Sequence, residues 1–198
     1  MIRIKNSADR ARLLEKIEQL EREVALARRF AYHDPLTGLP NRVLMLDRLE
    51  QALARAIRQR KKVGLLLLDL DDFKRINDEL GHQAGDAVLR SVGERLRRSI
   101  RACDTACRYG GDEFVILLPE IEGASALEQV KRKIRRSLSL PHQIGKRGIV
   151  VGGSVGSALF KQDADSCMAL IGAADAAMYR AKRQSRVAPR SASRAGAR

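Results

Sequence analysis

Near the N-terminus, Leu13, Ile17, Leu20, Val24, Ala27 and Ala31 recur at spacings of four and three residues. Such a heptad seam predicts a helix with one apolar stripe. With these residues at alternating d and a positions, Lys16 and Glu23 fall at g, and Glu21 and Arg28 at e. In a parallel pair, Lys16 then meets Glu21 and Glu23 meets Arg28 across the seam, opposite in sign both times. The same stripe also suits a helix lying on its own domain. The reading favoured is a short dimerising stalk over residues 1–31.

The turn-forming run His33-Asp-Pro-Leu-Thr-Gly-Leu-Pro-Asn-Arg42 ends that helix. Asn41 suits the N-cap of a helix with Leu46, Leu49, Leu53, Ala56 and Ile57 on one face. Val63-Gly-Leu-Leu-Leu-Leu68 is a short apolar run without alternation, read as a central strand covered on both faces and stopping at Asp69. Asp71 and Asp72 open a polar stretch punctuated by Gly81 and Gly85, before a helix marked by Val88, Val92, Leu96 and Ile100. Gly110-Gly111 precedes Phe114-Val-Ile-Leu-Leu118 and predicts a two-residue hairpin turn at the glycines. A third long helix spans Ser125 to Leu138, and strand-like segments fall at 149–151 and 154–155. Leu170, Ala174, Met178 and Ala181 mark a last helix. Helices and strands alternating irregularly around a hairpin predict an α/β (α+β) sandwich with a mostly antiparallel central sheet flanked by helices.

Charge changes this picture little. The formal net charge is +14 over 198 residues, but residues 180–198 contribute seven Lys or Arg and no acid. Residues 32–179 carry an excess of only +4. The last residues, 188–198, read as a basic disordered tail. A tail of this kind could touch RNA, but no nucleic-acid partner is expected for the compact part. The three cysteines do not form a disulfide framework. No apolar run is long enough to span a membrane, and no signal peptide is visible, so a cytoplasmic protein is expected.

Carboxylates gather where strands should end. Asp69 terminates the apolar strand, and Asp112 and Glu113 follow the two glycines. Several anions at the mouth of an apolar sheet are unfavourable without a compensating cation. Mg²⁺ fills that role with one or two carboxylates, water and phosphate oxygens. The expectation is a nucleotide-handling site.

Gly110-Gly-Asp-Glu-Phe114 is the signature after which the GGDEF family, the diguanylate cyclases, is named, and three further blocks resemble that family in order. These are Asp34 to Arg42, Asp69-Leu-Asp-Asp-Phe-Lys-Arg-Ile-Asn77 with Gly81 to Asp86, and Ala174 to Lys182. The resemblance covers residues 32–187. It implies a fold similar to the nucleotidyl cyclase and polymerase palm, and a reaction joining two GTP into cyclic di-GMP with release of two pyrophosphates.

Position by position, it implies that Asp69, Asp112 and Glu113 are catalytic. Together with the Leu70 carbonyl they would ligate Mg²⁺ (or Mn²⁺). Asn77 and Asp86 would recognise guanine, whose N1–H and N2 amine form a donor pair that adenine lacks. The backbone at Asp72 and Phe73, with Lys74, Lys182 and Arg186, would hold the triphosphate. Arg101 and Asp104 match an Arg-x-x-Asp product-inhibition site, with Arg132 in support. The family's usual Gly-Arg-Asn is Ser185-Arg186-Val187 here, and Asp72 stands where an aromatic or other residue often lies.

Each subunit would present one GTP, so the resemblance implies a homodimer, which the stalk would serve. An upstream sensor would precede the stalk. Two other readings compete: a non-catalytic nucleotide receptor with the same fold, and nucleic-acid binding through the tail.

Overall fold

The computed structural model describes residues 7–187, with side chains from 10 to 185. The basic tail expected at 188–198 and the Arg186 side chain lie outside these. In order, the elements are α1 (Ser7–Tyr32), α2 (Arg42–Gln59), β1 (Lys62–Leu70), α3 (Phe73–Leu80), α4 (His82–Ser99) and β2 (Thr105–Gly110). Then follow β3 (Glu113–Ile121), α5 (Ala124–Leu138), β4 (His142–Ile144), β5 (Arg147–Ile149), β6 (Gly153–Leu159) and α6 (Cys167–Val187).

Four strands in the order β2-β3-β1-β6 form an antiparallel sheet, and β4 and β5 form a separate hairpin. Side chains alternate across a strand, so β1 divides its apolar run between two cores. Leu66, Leu68 and Leu70 join Phe114 and Ile116 against Val88, Val92 and Leu96 of α4 and Ile134 of α5. Val63, Leu65 and Leu67 join Val115 and Leu117 against Leu49 and Leu53 of α2 and Leu170 and Ala174 of α6. The double-sided burial inferred from the unbroken run is what the sheet displays. A fully buried leucine contributes roughly 1.5–3 kcal/mol, and Leu65, Leu66, Leu68 and Leu70 of β1 are all fully buried.

Parity has a chemical consequence. Asp69 follows Leu65 and Leu67 on the face toward α6, and it is 7% exposed. Helix α6 lies close on that face because Gly156 has no side chain. A Cβ there would sit 2.1 Å from the Met178 nitrogen and 2.2 Å from the Ala174 carbonyl oxygen.

The N-cap at Asn41 is as expected, with its Oδ1 accepting from the Leu44 N–H at 3.1 Å. Such a cap contributes about 1 kcal/mol. Helix α1 is continuous from the seam to the opening turn, and Leu13, Ile17, Leu20 and Val24 are between 39% and 49% exposed. Its apolar stripe is therefore not laid on its own domain. No helix among the described residues is long and apolar enough to cross a membrane.

Three local expectations need correction. The polar stretch after Asp72 is helical, and Gly85 lies inside α4, packed against α3. The hairpin turn falls one residue late, because Gly110 pairs with Glu113 and leaves Gly111 and Asp112 as the loop. Only Gly111 of the two glycines takes positive φ, +43°. The strand-like segment at 149–151 ends at Ile149, with Val151 buried outside any strand.

His142 starts β4 and is fully buried. Its Nε2 faces the Leu138 carbonyl at 3.3 Å, and its Nδ1 lies 2.8 Å from the Ser91 hydroxyl. A carbonyl only accepts, so Nε2 carries the proton and Nδ1 accepts from Ser91. Arg95 of α4 donates to the carbonyls of Ser137, Leu140 and Pro141 beside it. Burial, aided by the Arg95 charge, lowers the His142 pKa from 6.5 to about 4. The unfolded chain therefore binds the extra proton first, and stability falls as pH drops from about 6.5 toward 4. We expect Tm to fall by roughly 5–10 °C between pH 7 and pH 4.5 through this group. His142→Gln should flatten that slope in calorimetry; an unchanged slope would contradict the assignment.

Candidate active site

The sheet itself assembles the carboxylates. Asp69, last but one in β1, is the direct cross-strand partner of Glu113, the first residue of β3. Both point to the α6 face, since Glu113 shares parity with Val115 and Leu117. Asp112 sits in the turn beside them, and its carbonyl accepts from the Leu70 N–H at 3.3 Å. Helix α6 supplies Lys182, whose Nζ donates to Asp69 Oδ1 at 2.6 Å. Like charges directly opposite on a sheet are destabilising, so the ammonium offsets a repulsion built into the register.

The electrostatics carry the same signature. Burial raises the Asp112 pKa, and Asp69 adds to the rise while Lys182 and Arg108 oppose it. Burial likewise raises Glu113, with further contributions from Asp69, Asp112 and Asp175 and opposition from Lys182. The acids thus share one electrostatic site. Asp175, one of them, lies within the Ala174 to Lys182 block, where the resemblance implies no role for it. Its signal in the sequence is its position on α6, two helical turns before Lys182.

Asp69, Asp112, Glu113 and Lys182 are therefore brought together, with Lys182 on a carboxylate where a phosphate contact was expected. Among the described residues, no three His, Cys, Asp or Glu side chains already stand as a cage for an ion. The donor chemistry still fits a hard cation, being carboxylate and backbone oxygen throughout.

Immediately after β1 the chain turns at Asp72, which takes the left-handed conformation (φ 53°, ψ 29°) before α3 begins at Phe73. A left-handed residue followed by right-handed ones directs successive N–H groups into a concavity suited to anions. The Phe73 side chain is buried in the core, so its backbone is what it can offer a ligand. Lys74 is exposed on the first turn. Asn77 lies at the α3–α4 contact, where its Oδ1 would be 1.9 Å from a Cβ placed on Gly85. Asp86, the next residue, is half-buried at the same junction. Asp71 is fixed by Ser154, whose hydroxyl donates to its Oδ1 at 2.7 Å, tying the end of β1 to β6.

Arg101 and Asp104 form a closed turn: the Arg101 N–H donates to the Asp104 carboxylate at 2.9 Å, and the Asp104 N–H to the Arg101 carbonyl at 3.0 Å. Cavities of about 360 and 250 Å³ adjoin this turn. Arg48 lines both, Arg97 the larger and Arg55 the smaller, three arginines that sequence spacing did not single out. Arg132 stands exposed on α5 and lines neither cavity.

The chain belongs to the family described as Diguanylate cyclase, GGDEF domain, which matches residues 31–188. It is 46% identical over 156 residues to the bifunctional diguanylate cyclase/cyclic di-GMP phosphodiesterase MucR of Pseudomonas aeruginosa, covering 79% of this chain and 23% of that protein. Diguanylate cyclase TpbB of the same species is 42% identical over 180 residues, covering 88% of this chain and 41% of TpbB. The chain thus spans less than half the length of these curated relatives. Among solved structures, the coiled coil and GGDEF domain of DgcB from Caulobacter crescentus, in complex with c-di-GMP, has a TM-score of 0.81 at 33% identity. That match covers 89% of this chain and 94% of the DgcB chain.

Replacing Asp69 with Asn removes a charge that raises both neighbours. Carboxyl NMR titration of metal-free Asp69→Asn should show the Asp112 and Glu113 pKa values falling together. Values that stay in place would show that the three acids do not share a site.

Proposed function

We propose that this chain condenses two GTP molecules into cyclic di-GMP, working as a homodimer. The observation that carries the reading is the register that sets Asp69 opposite Glu113, with Asp112 and Lys182 beside them. In each half-reaction a 3′-hydroxyl of one GTP attacks the α-phosphorus of the other. The new O–P bond forms as the bond to pyrophosphate breaks, and the hydroxyl proton leaves to a base. Two such steps close the ring and release two pyrophosphates.

The residues divide this work by chemistry. Glu113, set opposite Asp69 by the register, would help hold the metal or take up the hydroxyl proton. The Asp72–Phe73 backbone, Lys74 and Arg186 would bind the triphosphate, and Lys182 would move to it from Asp69. Asn77 and Asp86 would hold guanine, and ATP would leave their polar groups unpaired. A divalent ion, Mg²⁺ or Mn²⁺, would be held by Asp69, the Leu70 carbonyl, Asp112 and Glu113, and would neutralise charge developing on the phosphate oxygens.

Residues 1–31 would form the stalk, 32–187 the catalytic unit and 188–198 a basic tail. The exposed seam of α1 supports pairing through the stalk, which would raise the local concentration of facing sites. The solved DgcB relative is described as a coiled coil and GGDEF domain in complex with c-di-GMP. By analogy, product would inhibit through Arg101 and Asp104, with Arg48 and Arg55 nearby and Arg132, on α5 outside both cavities, in support.

A turnover assay with GTP and Mg²⁺ tests the reading. Asp112→Ala and Glu113→Ala should each lower kcat by about 100-fold or more, and Arg101→Ala should abolish slowing by added product. Full turnover in both acid variants would contradict the site. Wild-type binding of GTP without turnover would instead make the chain a receptor.

A further inference from the structure

Arg108, in β2, makes four side-chain hydrogen bonds at this end of the sheet. Its Nε and Nη2 both donate to the Gly111 carbonyl, at 2.9 and 2.7 Å. Its Nη1 donates to both carboxylate oxygens of Asp34, at 3.2 and 3.1 Å. Its backbone N–H donates to the Pro40 carbonyl at 3.0 Å. The two side chains are 15% and 16% exposed, which places the pair in a drier setting than the surface ion pairs elsewhere on the chain.

Each end of this link is itself held. Asp34 accepts from the Thr37 N–H at 2.8 Å and the Thr37 hydroxyl at 2.7 Å. Burial raises the Asp34 pKa, but the Thr37 hydrogen bonds and Arg108 outweigh it and bring the carboxyl below its ordinary value. Asn41 joins the same opening turn to the last turn of α1, donating from Nδ2 to the Ala31 carbonyl at 2.8 Å and from its N–H to Tyr32 at 2.9 Å. At the other end, Gly111 begins the two-residue loop, and the next carbonyl, that of Asp112, accepts from Leu70. Consecutive carbonyls of the loop are thus gripped from opposite sides. From the far side of β2, Tyr109 lies under the Arg42 guanidinium, 4.8 Å from its ring centre.

We propose that Arg108 is a positioning residue: it locks the Gly111–Asp112 loop to the opening turn at Asp34, and so sets where Asp112 and Glu113 stand relative to Asp69. The inference rests on the cyclase reading for its consequence in turnover, but its geometric content is independent. Only a planar, forked cation spans a carbonyl and a carboxylate in this way; a lysine ammonium carries the charge without the fork. The link also makes the segment leaving α1 part of the active-site geometry. A change in the angle of the stalk reaches the carboxylates through Asn41, Asp34 and Arg108, without crossing the core.

The test compares Arg108→Lys and Asp34→Asn with wild type in the whole 198-residue chain. Three quantities are followed: GTP turnover, thermal midpoint, and hydrogen exchange at the Leu70 amide, which is bonded to the loop. Displacing reacting groups by a fraction of an ångström lowers kcat steeply while binding persists, so kcat should fall about tenfold or more with KM within about threefold. Leu70 exchange should accelerate in the same variants. Unchanged kcat and unchanged Leu70 exchange would overturn the proposal. So would activity lost only in proportion to the unfolded fraction, which would make the pair merely structural. If wild type does not turn over GTP, the cyclase reading fails, and Leu70 exchange alone decides the positioning claim.

Discussion

The structure is organised around an electrostatic conflict at the end of a buried sheet. Strand β1 is apolar on both faces until Asp69, and its register with β3 places that carboxylate directly opposite Glu113, with Asp112 in the adjoining turn. Asp69 is buried, Asp112 half-buried and Glu113 exposed; anions so disposed repel one another, most strongly at Asp69, unless positive charge reaches them. Lys182 does so across 2.6 Å from α6. In the proposed function another cation would take the place of that ammonium, so one feature would serve both folding and chemistry.

Much of the surrounding architecture follows from keeping that cluster in place. Gly156 lets α6 approach β6 closely enough to carry Lys182 and Asp175 over the carboxylates. Asp71 secures the strand end to Ser154, and Arg108 and Leu70 grip the loop from opposite sides. The anion-directing backbone at Asp72 begins only two residues beyond the Leu70 carbonyl. Helix, strand and loop thus converge on one small region because the strands end there together.

The fold was legible in residue pattern to a large degree. The unbroken run before Asp69 announced a strand buried on both faces, and the periodic stripes announced α2, α4, α5 and α6. Asn41 announced its helix by its cap. Either acidic patch alone is ordinary turn and strand-end chemistry; the carboxylates were legible because two patches fall on elements expected to be sheet neighbours and Gly110 to Phe114 carries the family signature. Long-range partners were not. The Asp34–Arg108 link spans 74 positions in sequence, and His142 finds Ser91 across 51, so no local period encodes either. The turn at Gly111-Asp112 was misplaced by one residue because either glycine could supply positive φ, and only the cross-strand register decides between them. Asp175 was hidden by its helix, where an acid ordinarily faces solvent.

Electron paramagnetic resonance of Mn²⁺ bound in the presence of a non-hydrolysable GTP analogue tests the cation-compensation claim most directly. Wild-type protein should give a bound-Mn²⁺ spectrum that requires both nucleotide and an intact acid cluster, and Asp69→Asn should weaken Mn²⁺ binding by about tenfold or more. Equal Mn²⁺ affinity in Asp69→Asn and wild type would contradict the account, because the ion would then lie elsewhere than between the strands.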